Sequence, residues 1–212
     1  MSNKLIITEK DWETPEKMPR FQTCYADPPW EINQRGHYGA ANHYHLMNLE
    51  DIKAMPVSQL MDENAHLWLW VPNGLIQEGL DVIKAWGFTY RNSFYWIRGK
   101  LSLGTYLRTA SETCLFATRG KAPARIHNQQ NWLFAPVQEH SRKPEEMYNI
   151  ITRFSPGPYL ELFCRHRPKD PDWSCYGDET EGGADIWMPG QIDMKRSRDY
   201  MEKLKRQLKE EV

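Results

Sequence analysis

FQTCYADPPW, residues 21 to 30, decides how the rest of the chain is interpreted. Its first six residues favour a strand, and Asp27-Pro28 ends that strand because proline cannot continue a hydrogen-bonded ladder. The two prolines fix φ and lack N–H groups, so the backbone after the strand holds one shape and presents carbonyl acceptors. Asp-Pro-Pro-Trp is therefore either an ordinary turn with a surface carboxylate or a rigid clamp for a flat, polar ligand.

Outward from this stretch, apolar runs of strand length alternate with amphipathic segments. The predicted strands are 66–71, which we expect to be a buried parallel strand, 88–98, 113–118 and 159–164. One helix is predicted from Asn48 to the residue before Pro56, and another between Asn73 as its cap and Gly87 as its C′ residue. A third is predicted to open at Lys143-Pro144, with the proline at N1. This alternation predicts a three-layer α/β domain, in which ligands bind beyond the carboxyl ends of the strands.

The size and composition of the chain limit the alternatives. With 212 residues it is long enough for one substantial domain. We divide it into an N-terminal extension (1–20), a single catalytic domain (21–190) and a charged C-terminal helix (191–212). Four scattered cysteines fit reduced thiols better than a disulfide framework. Neither a signal peptide nor an apolar run of about 18 residues is visible, so we expect a soluble, cytoplasmic protein without membrane contact.

The chemistry of the clamp favours one kind of ligand. A carboxylate at Asp27 and a backbone carbonyl at Pro28 can together accept two hydrogen bonds from an exocyclic amine. The indole of Trp30 can stack on a base or shape its pocket. Such an arrangement suits N6 of adenine, because two accepted hydrogen bonds make its lone pair available for attack on an electrophilic methyl group.

Blocks along the chain carry a resemblance to a known family. They are YADPPW (25–30), HYHLMNLEDIKAMPV (43–57), HLWLWVPN (66–73), IKAWGF (83–88), LRTASETCLFATRGK (107–121), EHSRKPEEMYNIITRFSPGPYLELFCR (139–165), and Trp173 with YGDE (176–179). In this order the blocks resemble the MT-A70 family of adenine N6-methyltransferases over residues 21–179. The family includes the catalytic subunit of the eukaryotic mRNA adenosine methyltransferase and many bacterial and phage enzymes.

The resemblance implies a Rossmann-like class I methyltransferase fold that uses S-adenosylmethionine and no metal. Its motif order is circularly permuted, with the catalytic block first and the cofactor-binding strand late. The implied site residues fall into three groups. The catalytic residues are Asp27, Pro28, Pro29 and Trp30; the cofactor-binding residues are Asp27, Lys143, Arg165, Arg167, Asp178 and Glu179; the substrate-binding residues are Tyr44, Arg108, Glu112 and Lys143.

This sequence departs from the family in several places. Asp178 and Glu179 stand where family members often carry Asn or Gln, and an acidic cofactor contact upstream of the catalytic strand has no match beyond the region of Glu9 to Asp11. The glycine-rich loop of many amino-methyltransferases is missing, since LFCRHRP contains no glycine. His37, His43 and His45 could suggest a metal, but no third or fourth ligand follows at useful spacing.

Nucleic acid is the expected partner, through a local basic excess rather than bulk charge. Basic residues outnumber the single acid, Glu112, between Arg98 and His127, and this run contains loops expected around the base pocket. The long polar segments 31–47 and 119–142 are interpreted as substrate-side loops. The compact chain resembles bacterial and phage members, so DNA is favoured over RNA. The alternatives are the same reaction on RNA and a non-catalytic nucleic-acid-binding scaffold, and a homodimer is among the expected assemblies.

Overall fold

The computed structural model describes residues 4–31, 46–102, 106–137, 142–177 and 180–189. A 3-10 helix, Glu9–Glu13, precedes the first strand. The strands and α-helices follow in this order: β1 Phe21–Ala26, α1 Leu49–Ala54, α2 Val57–Leu60, β2 Met61–Val71, α3 Ile76–Ala85, β3 Thr89–Ser102, β4 Thr109–Arg119, β5 Trp132–Phe134, α4 Glu146–Phe154, β6 Tyr159–Leu162 and β7 Trp173–Tyr176. Among these residues, no helix has the length and apolar character to cross a bilayer.

One seven-stranded sheet organises the molecule, in the order β5-β3-β4-β2-β1-β6-β7. β1 pairs in parallel with β2 and β6, and the pairs β6–β7 and β3–β5 are also parallel. β4 runs antiparallel to both of its neighbours. Six strands therefore end at one edge of the sheet, and β4 begins there. The predicted α/β architecture with parallel pairing of residues 66–71 is confirmed.

Strict alternation along β2 separates two apolar cores. Leu67, Leu69 and Val71 face the layer that contains α1 and α3, whereas Trp68 and Trp70 face α4. Successive side chains of a strand point to opposite faces, so a strand buried on both faces reads as a continuous apolar run. Both helical layers are needed to cover it, which gives the three-layer sandwich that was predicted.

Contrary to the prediction from the sequence, Asn73 does not cap a helix, and Pro144 does not occupy the first helical position. α3 begins at Ile76 after an N-cap residue Leu75, and the Asn73 side chain instead accepts from Thr113 Oγ1 at 2.7 Å and donates to the carbonyl of Ser111 at 3.1 Å. Asn73 thus ties the end of β2 to the start of β4. Likewise α4 begins at Glu146, so Pro144 lies in the segment that leads into the helix. The C-terminal helix predicted from residue 191 lies outside the described residues.

The N-terminal segment packs on the domain from which the sequence interpretation separated it. Ile7 is buried and forms a parallel bridge with Ile186. The Leu5 N–H donates to Ser174 Oγ at 3.0 Å, and Lys4 pairs with Asp185 at 2.8 Å. Residues 4–7 therefore lie against β7 and the segment that follows it.

The basic run from Arg98 to Arg125 is divided between the two ends of the sheet. β4 spans eleven residues, roughly 30 Å, and carries the chain from the Asp27 edge to the far edge. At that far edge Arg119 pairs with Ala65, and Arg125 donates to the carbonyl of Thr152. Of the basic residues in this run, Arg98, Lys100 and Arg108 lie toward the Asp27 edge, whereas Arg119 and Arg125 lie at the far edge. Residues 119–142 also contain a strand, β5, that was not predicted.

Candidate active site

An ion pair joins the two halves of the chain at the carboxyl edge of the sheet. Asp27 follows β1 directly, and its carboxylate accepts from Lys143 Nζ at 2.6 Å. The Lys143 side chain is 15% exposed and that of Asp27 is 31% exposed, so the carboxylate is the more open member of the pair. The Lys-Pro segment ahead of α4 reaches this point because the helix begins only at Glu146. Because Lys143 holds the Asp27 carboxylate in place while part of it remains exposed to solvent, this carboxylate can bind a ligand.

Lys143 is shared between two acids and an indole. Its Nζ lies 3.4 Å from Glu112 Oε2 and 5.4 Å from the centre of the Trp70 ring. Burial alone would lower the pKa of Lys143, but the charges of Asp27 and Glu112 outweigh it and raise that pKa. The ammonium is therefore held protonated at the centre of the site.

Burial dominates the electrostatics of Asp27. It raises the pKa of the carboxyl above its usual value even though Lys143 pulls in the opposite direction. Glu112 adds to the increase, whereas Arg165 reduces it. Asp27 is thus a carboxylate whose proton affinity depends on several neighbouring charges, which is common at functional sites.

The Pro-Pro-Trp part of the motif forms a fixed turn. Trp30 N–H donates to the Pro28 carbonyl at 2.9 Å, and the Pro29 carbonyl accepts from Met47 N–H at 2.8 Å. The Pro28 carbonyl keeps one lone pair, since a carbonyl oxygen can accept twice. The Trp30 indole is only 6% exposed and donates Nε1–H to the Trp70 carbonyl at 3.0 Å. Of the two roles expected for Trp30, this burial supports the shaping of the pocket.

Glu112 joins the site through the antiparallel strand. It lies near the start of β4 opposite Trp96, and its Oε1 accepts from Arg98 Nη1 at 3.1 Å while Oε2 faces Lys143. The structure therefore brings together Asp27, Lys143 and Glu112, as the resemblance implies. Arg108 is exposed and lies just before β4 at the same edge.

The turn after β6 is built without glycine. Phe163 adopts a φ of 65°, a conformation that costs a non-glycine residue free energy. Gly177 lies against this turn, and a Cβ there would come 2.3 Å from the Cys164 carbonyl oxygen. The close approach of the two segments requires glycine at 177. In place of a glycine-rich loop, this turn has a strained phenylalanine and packs against a glycine that directly follows the neighbouring strand β7.

The two arginines after β6 differ in their surroundings. Arg165 acts electrostatically on Asp27 and so lies on the side of the site. Arg167 donates from all three guanidinium nitrogens to the segment 181–185, including two bonds to Asp185 at 2.7 and 3.2 Å. A cofactor contact by Arg167 stays a prediction, and the bonds that it makes brace the chain after β7.

Glu161 is a buried acid in the apolar strand β6. It pairs with Tyr25 across to β1, and both of its oxygens accept from Tyr148 Oη at 3.0 Å. Burial raises its pKa to about 8. Its carboxylate and the thiols of Cys164 and Cys175 lie within 4.8 Å of one another. These are three ligand atoms among the described residues, one fewer than a structural tetrahedral metal site requires.

Tyr44, Asp178 and Glu179 lie outside the described residues, so their predicted roles stay predictions. The same applies to His37, His43 and His45.

Comparison with known proteins gives this arrangement its context. The sequence profile of the MT-A70 family matches residues 21–179, which contain the Asp27 motif, Glu112, Lys143 and both arginines. The chain belongs to the MT-A70 family. The match covers most of the chain and includes every element of the sheet.

Individual MT-A70 relatives agree with the family match. The chain is similar to the Drosophila melanogaster "N(6)-adenosine-methyltransferase MT-A70-like protein", with 29% identity over 77% of this chain and 27% of that protein. It is similar to the human "N(6)-adenosine-methyltransferase catalytic subunit METTL3", with 28% identity over 77% of this chain and 29% of that protein. An Arabidopsis thaliana "N6-adenosine-methyltransferase non-catalytic subunit MTB" matches at 25% identity over 48% of this chain and 14% of that protein. The chain therefore spans under a third of the length of these relatives.

MT-A70 methyltransferases use S-adenosylmethionine, and the residues at this edge fit its chemistry. The cofactor carries a sulfonium, an amino-acid group and a ribose. Asp27 offers a carboxylate, Lys143 an ammonium and Arg165 a guanidinium at the carboxyl ends of β1 and β6, where open α/β sheets bind ligands. Asp27, Lys143 and Arg165 together can therefore bind the positively and negatively charged groups of the cofactor.

Sequence reasoning missed three contributors to the site. Trp70 was assigned to the core, and it is buried there, but its ring also supports Lys143. Arg98 was grouped with loop cations, and Glu161 was not singled out. An acid within the apolar run YLELFC is a signal that could have identified Glu161, since an acid is seldom fully buried unless paired.

Proposed function

We propose that this chain catalyses S-adenosylmethionine-dependent methylation of adenine at N6, with adenosine in RNA as its substrate. The observation that carries the proposal is the pairing of Asp27, in an intact Asp-Pro-Pro-Trp, with Lys143 at the carboxyl edge of the sheet. Both residues lie within the region that matches the family.

The chemical role of the chain follows from its acceptors. Asp27 and the free lone pair of the Pro28 carbonyl accept the two N–H groups of the exocyclic amine, which orients the amine and raises the electron density of its nitrogen. The Trp30 N–H occupies one lone pair of the Pro28 carbonyl, which leaves the other lone pair for the amine. S-adenosylmethionine supplies an electrophilic methyl group on a sulfonium. The nitrogen lone pair would form the new N–C bond as the S–CH3 bond breaks, with the bonding electrons left on the sulfur of S-adenosylhomocysteine. The methylated amine would then release one proton to water.

We expect most of the rate acceleration to come from the positioning of the amine nitrogen relative to the methyl group. Asp27 is held by Lys143, and the turn that carries it is fixed by the Trp30 N–H bond to Pro28 and the indole bond to Trp70. A fixed acceptor set lowers the entropic cost of bringing nitrogen and methyl into line. The target base must be single-stranded or leave its stack to reach these acceptors.

RNA is preferred over DNA because of the relatives. The names of the fly and human relatives specify adenosine, which is the ribonucleoside. The DNA preference of the sequence analysis depended on the size of the chain, which carries no information on the sugar. N6 methylation of adenine is common to both alternatives.

Methyl transfer from labelled cofactor tests the proposal. Purified protein is incubated with adenine-containing RNA and DNA oligonucleotides of the same sequence, and the products are digested and identified as N6-methylated nucleosides. We expect label in the RNA, and its loss by at least about a hundredfold in Asp27→Ala. Asp81→Ala is the matched control, because Asp81 lies on α3 and accepts from Gln77 at 3.2 Å, away from Asp27. Label confined to DNA would contradict the RNA proposal, and equal transfer by Asp27→Ala would contradict the catalytic role.

A non-catalytic scaffold is the second candidate, because one of the similar proteins is named a non-catalytic subunit. Calorimetric titration with S-adenosylmethionine separates the two. Cofactor binding that is weakened in Lys143→Met supports an enzyme, whereas RNA binding without cofactor binding supports the scaffold.

A further inference from the structure

Arg98 stands where the regular pairing of β3 and β4 stops. Pairing is continuous from Asn92 and Phe116 to Ile97 and Ser111, and it resumes only at Ser102 and Thr109. Arg98 bridges this irregularity: its Nη2 donates to Ser102 Oγ at 2.6 Å and to the Thr109 carbonyl at 3.1 Å. The guanidinium thus replaces the backbone ladder at this point and fixes the start of β4.

The same guanidinium holds Glu112 from the side opposite Lys143. Nη1 donates to Glu112 Oε1 at 3.1 Å, and Glu112 Oε2 lies 3.4 Å from Lys143 Nζ. Lys143 in turn lies 2.6 Å from Asp27. Four charges of alternating sign therefore form one chain, Arg98–Glu112–Lys143–Asp27, with both Glu112 oxygens engaged.

Arg98 makes the row of four charges, Arg98–Glu112–Lys143–Asp27, electrically neutral. Two cations and two anions balance, and the Arg98 side chain is only 14% exposed, so solvent screens it poorly. Without Arg98, the charge of Glu112 is balanced only by the ammonium that also serves Asp27. Glu112 then competes with Asp27 for Lys143.

We propose that Arg98 is a positioning residue of the methyl-transfer site, which acts through Glu112 to keep Lys143 bound to Asp27. This inference rests on the proposed function, since it concerns the same acceptor. Arg98 does not contact the reacting atoms: its role is to fix one oxygen of Glu112, so that the other oxygen shares Lys143 without drawing it away from Asp27.

The pH dependence of the reaction reports this role. Several groups face Asp27 from the elements packed against it: Tyr25 on β1, Glu112 and Cys114 on β4, Lys143 before α4, Glu161 on β6 and Arg165 after β6. Among them Glu112 raises the pKa of Asp27. Loss of Arg98 leaves that negative charge less compensated, so the pKa of Asp27 rises further and more alkaline conditions are needed to ionise it.

Three variants test the inference: Arg98→Gln, Arg98→Lys and, as the matched control, Arg91→Gln. Arg91 lies on the same strand and donates Nε–H to Thr118 Oγ1 at 2.8 Å, away from the four-charge chain. We expect Arg98→Gln to reduce kcat by roughly tenfold and to move the acid limb of kcat/KM to higher pH. Arg98→Lys should keep the limb near its wild-type position, and Arg91→Gln should leave kcat and the limb unchanged.

A double variant separates positioning from simple structural damage. In Arg98→Gln/Glu112→Gln the uncompensated acid is absent, so the acid limb should return toward the wild-type pH although activity stays low. A loss of activity in Arg98→Gln with an unshifted limb would overturn the inference, as would independent effects of the two substitutions. The two failures are distinguishable: active wild-type protein with an unshifted Arg98→Gln limb rejects only the inference. A wild type that neither transfers methyl nor binds cofactor rejects both proposals.

Discussion

Lys143 Nζ lies 2.6 Å from the carboxylate of Asp27, which is 116 residues earlier in the chain. One partner ends β1, and the other precedes α4. Their contact joins the half of the domain that carries the Asp-Pro-Pro-Trp turn to the half that carries β6 and the arginines after it.

Substitution of Lys143 by methionine removes this contact while it keeps an unbranched side chain of nearly the same length. Without the ammonium, Asp27 and Glu112 are two partly buried acids with no shared cation, and both orientation and ionisation of Asp27 suffer. We expect kcat to fall by about a hundredfold, since breaking a buried pair by removal of one partner is costly. Single-turnover methyl transfer measures this. A drop of less than about threefold would show that the pair is not part of the reaction.

The wild-type pH profile tests the ionisation of Asp27. Burial raises the pKa of this carboxyl above its usual value of 3.8. Because the ionised carboxylate can accept from Lys143 and from the amine at the same time, activity is present above the raised pKa and lost as pH falls through it. We expect the acid limb of kcat/KM to lie above the ordinary carboxylate value. A limb at or below that value would mean that another group controls the acid side.

Replacement of Trp30 by phenylalanine tests the anchor of the catalytic turn. It removes the indole N–H and leaves the buried Trp70 carbonyl without that donor. A loss of about 1–3 kcal/mol in the free energy of unfolding is expected, measured by urea denaturation. Trp12→Phe is the control, because Trp12 donates to the Trp187 carbonyl at an exposed position, where water can replace it. Equal losses in the two variants would argue against a special role for Trp30.

Alanine at Gly177 should disturb the turn after β6. Its Cβ would meet backbone atoms of Cys164, the carbonyl oxygen at 2.3 Å and the nitrogen at 2.8 Å, and backbone cannot move as a side-chain tip can. We expect a loss of roughly 2 kcal/mol or more in stability and weaker cofactor binding, because Arg165 follows the same turn. Gly74→Ala is the matched control, as nothing lies within 4 Å of its added Cβ. Wild-type cofactor affinity in Gly177→Ala would separate this turn from the site.

His66 makes stability depend on pH at the far edge of the sheet. Its Nε2–H donates to the Ala122 carbonyl at 2.8 Å, and Nδ1 lies 2.8 Å from Ser155 Oγ, a hydroxyl from which the neutral ring can accept. Burial holds its pKa below the usual 6.5. The unfolded chain takes up a proton first as pH falls below about 6.5, and stability is lost from there toward the lower folded-state pKa. Urea unfolding at pH 7.5 and 5 should show a larger drop for the wild type than for His66→Gln; equal drops would exclude His66 as a source.

The sheet was largely predictable, because strands buried on both faces appear as unbroken apolar runs such as HLWLWV. β5 was missed because it has three residues on the sheet edge, two of them exposed, Trp132 and Phe134. Asn73 was assigned to a helix cap because its side chain suits one, yet its partners lie about forty residues away on β4. Local chemistry cannot indicate such distant partners.

The site residues that belong to a motif of the family could be predicted from the sequence. Contacts that depend on the register between two strands could not. Asp27, Lys143 and Glu112 were identified before the structure and lie together. Arg98 reaches Glu112 only because the antiparallel register places Glu112 opposite Trp96, two residues before Arg98. A shift of one residue would turn the Glu112 side chain to the other face of the sheet.

The position of β1 between β2 and β6 has a consequence for synthesis of the chain. β2 follows β1 closely, but β6 begins only at residue 159. As the polypeptide leaves the ribosome, one side of β1 therefore presents unpaired N–H and C=O groups while more than a hundred further residues are added. Open strand edges of this kind favour association with other chains. A nascent or truncated protein that ends before β6 is thus the form most exposed to aggregation, and a chaperone that covers this edge would protect it.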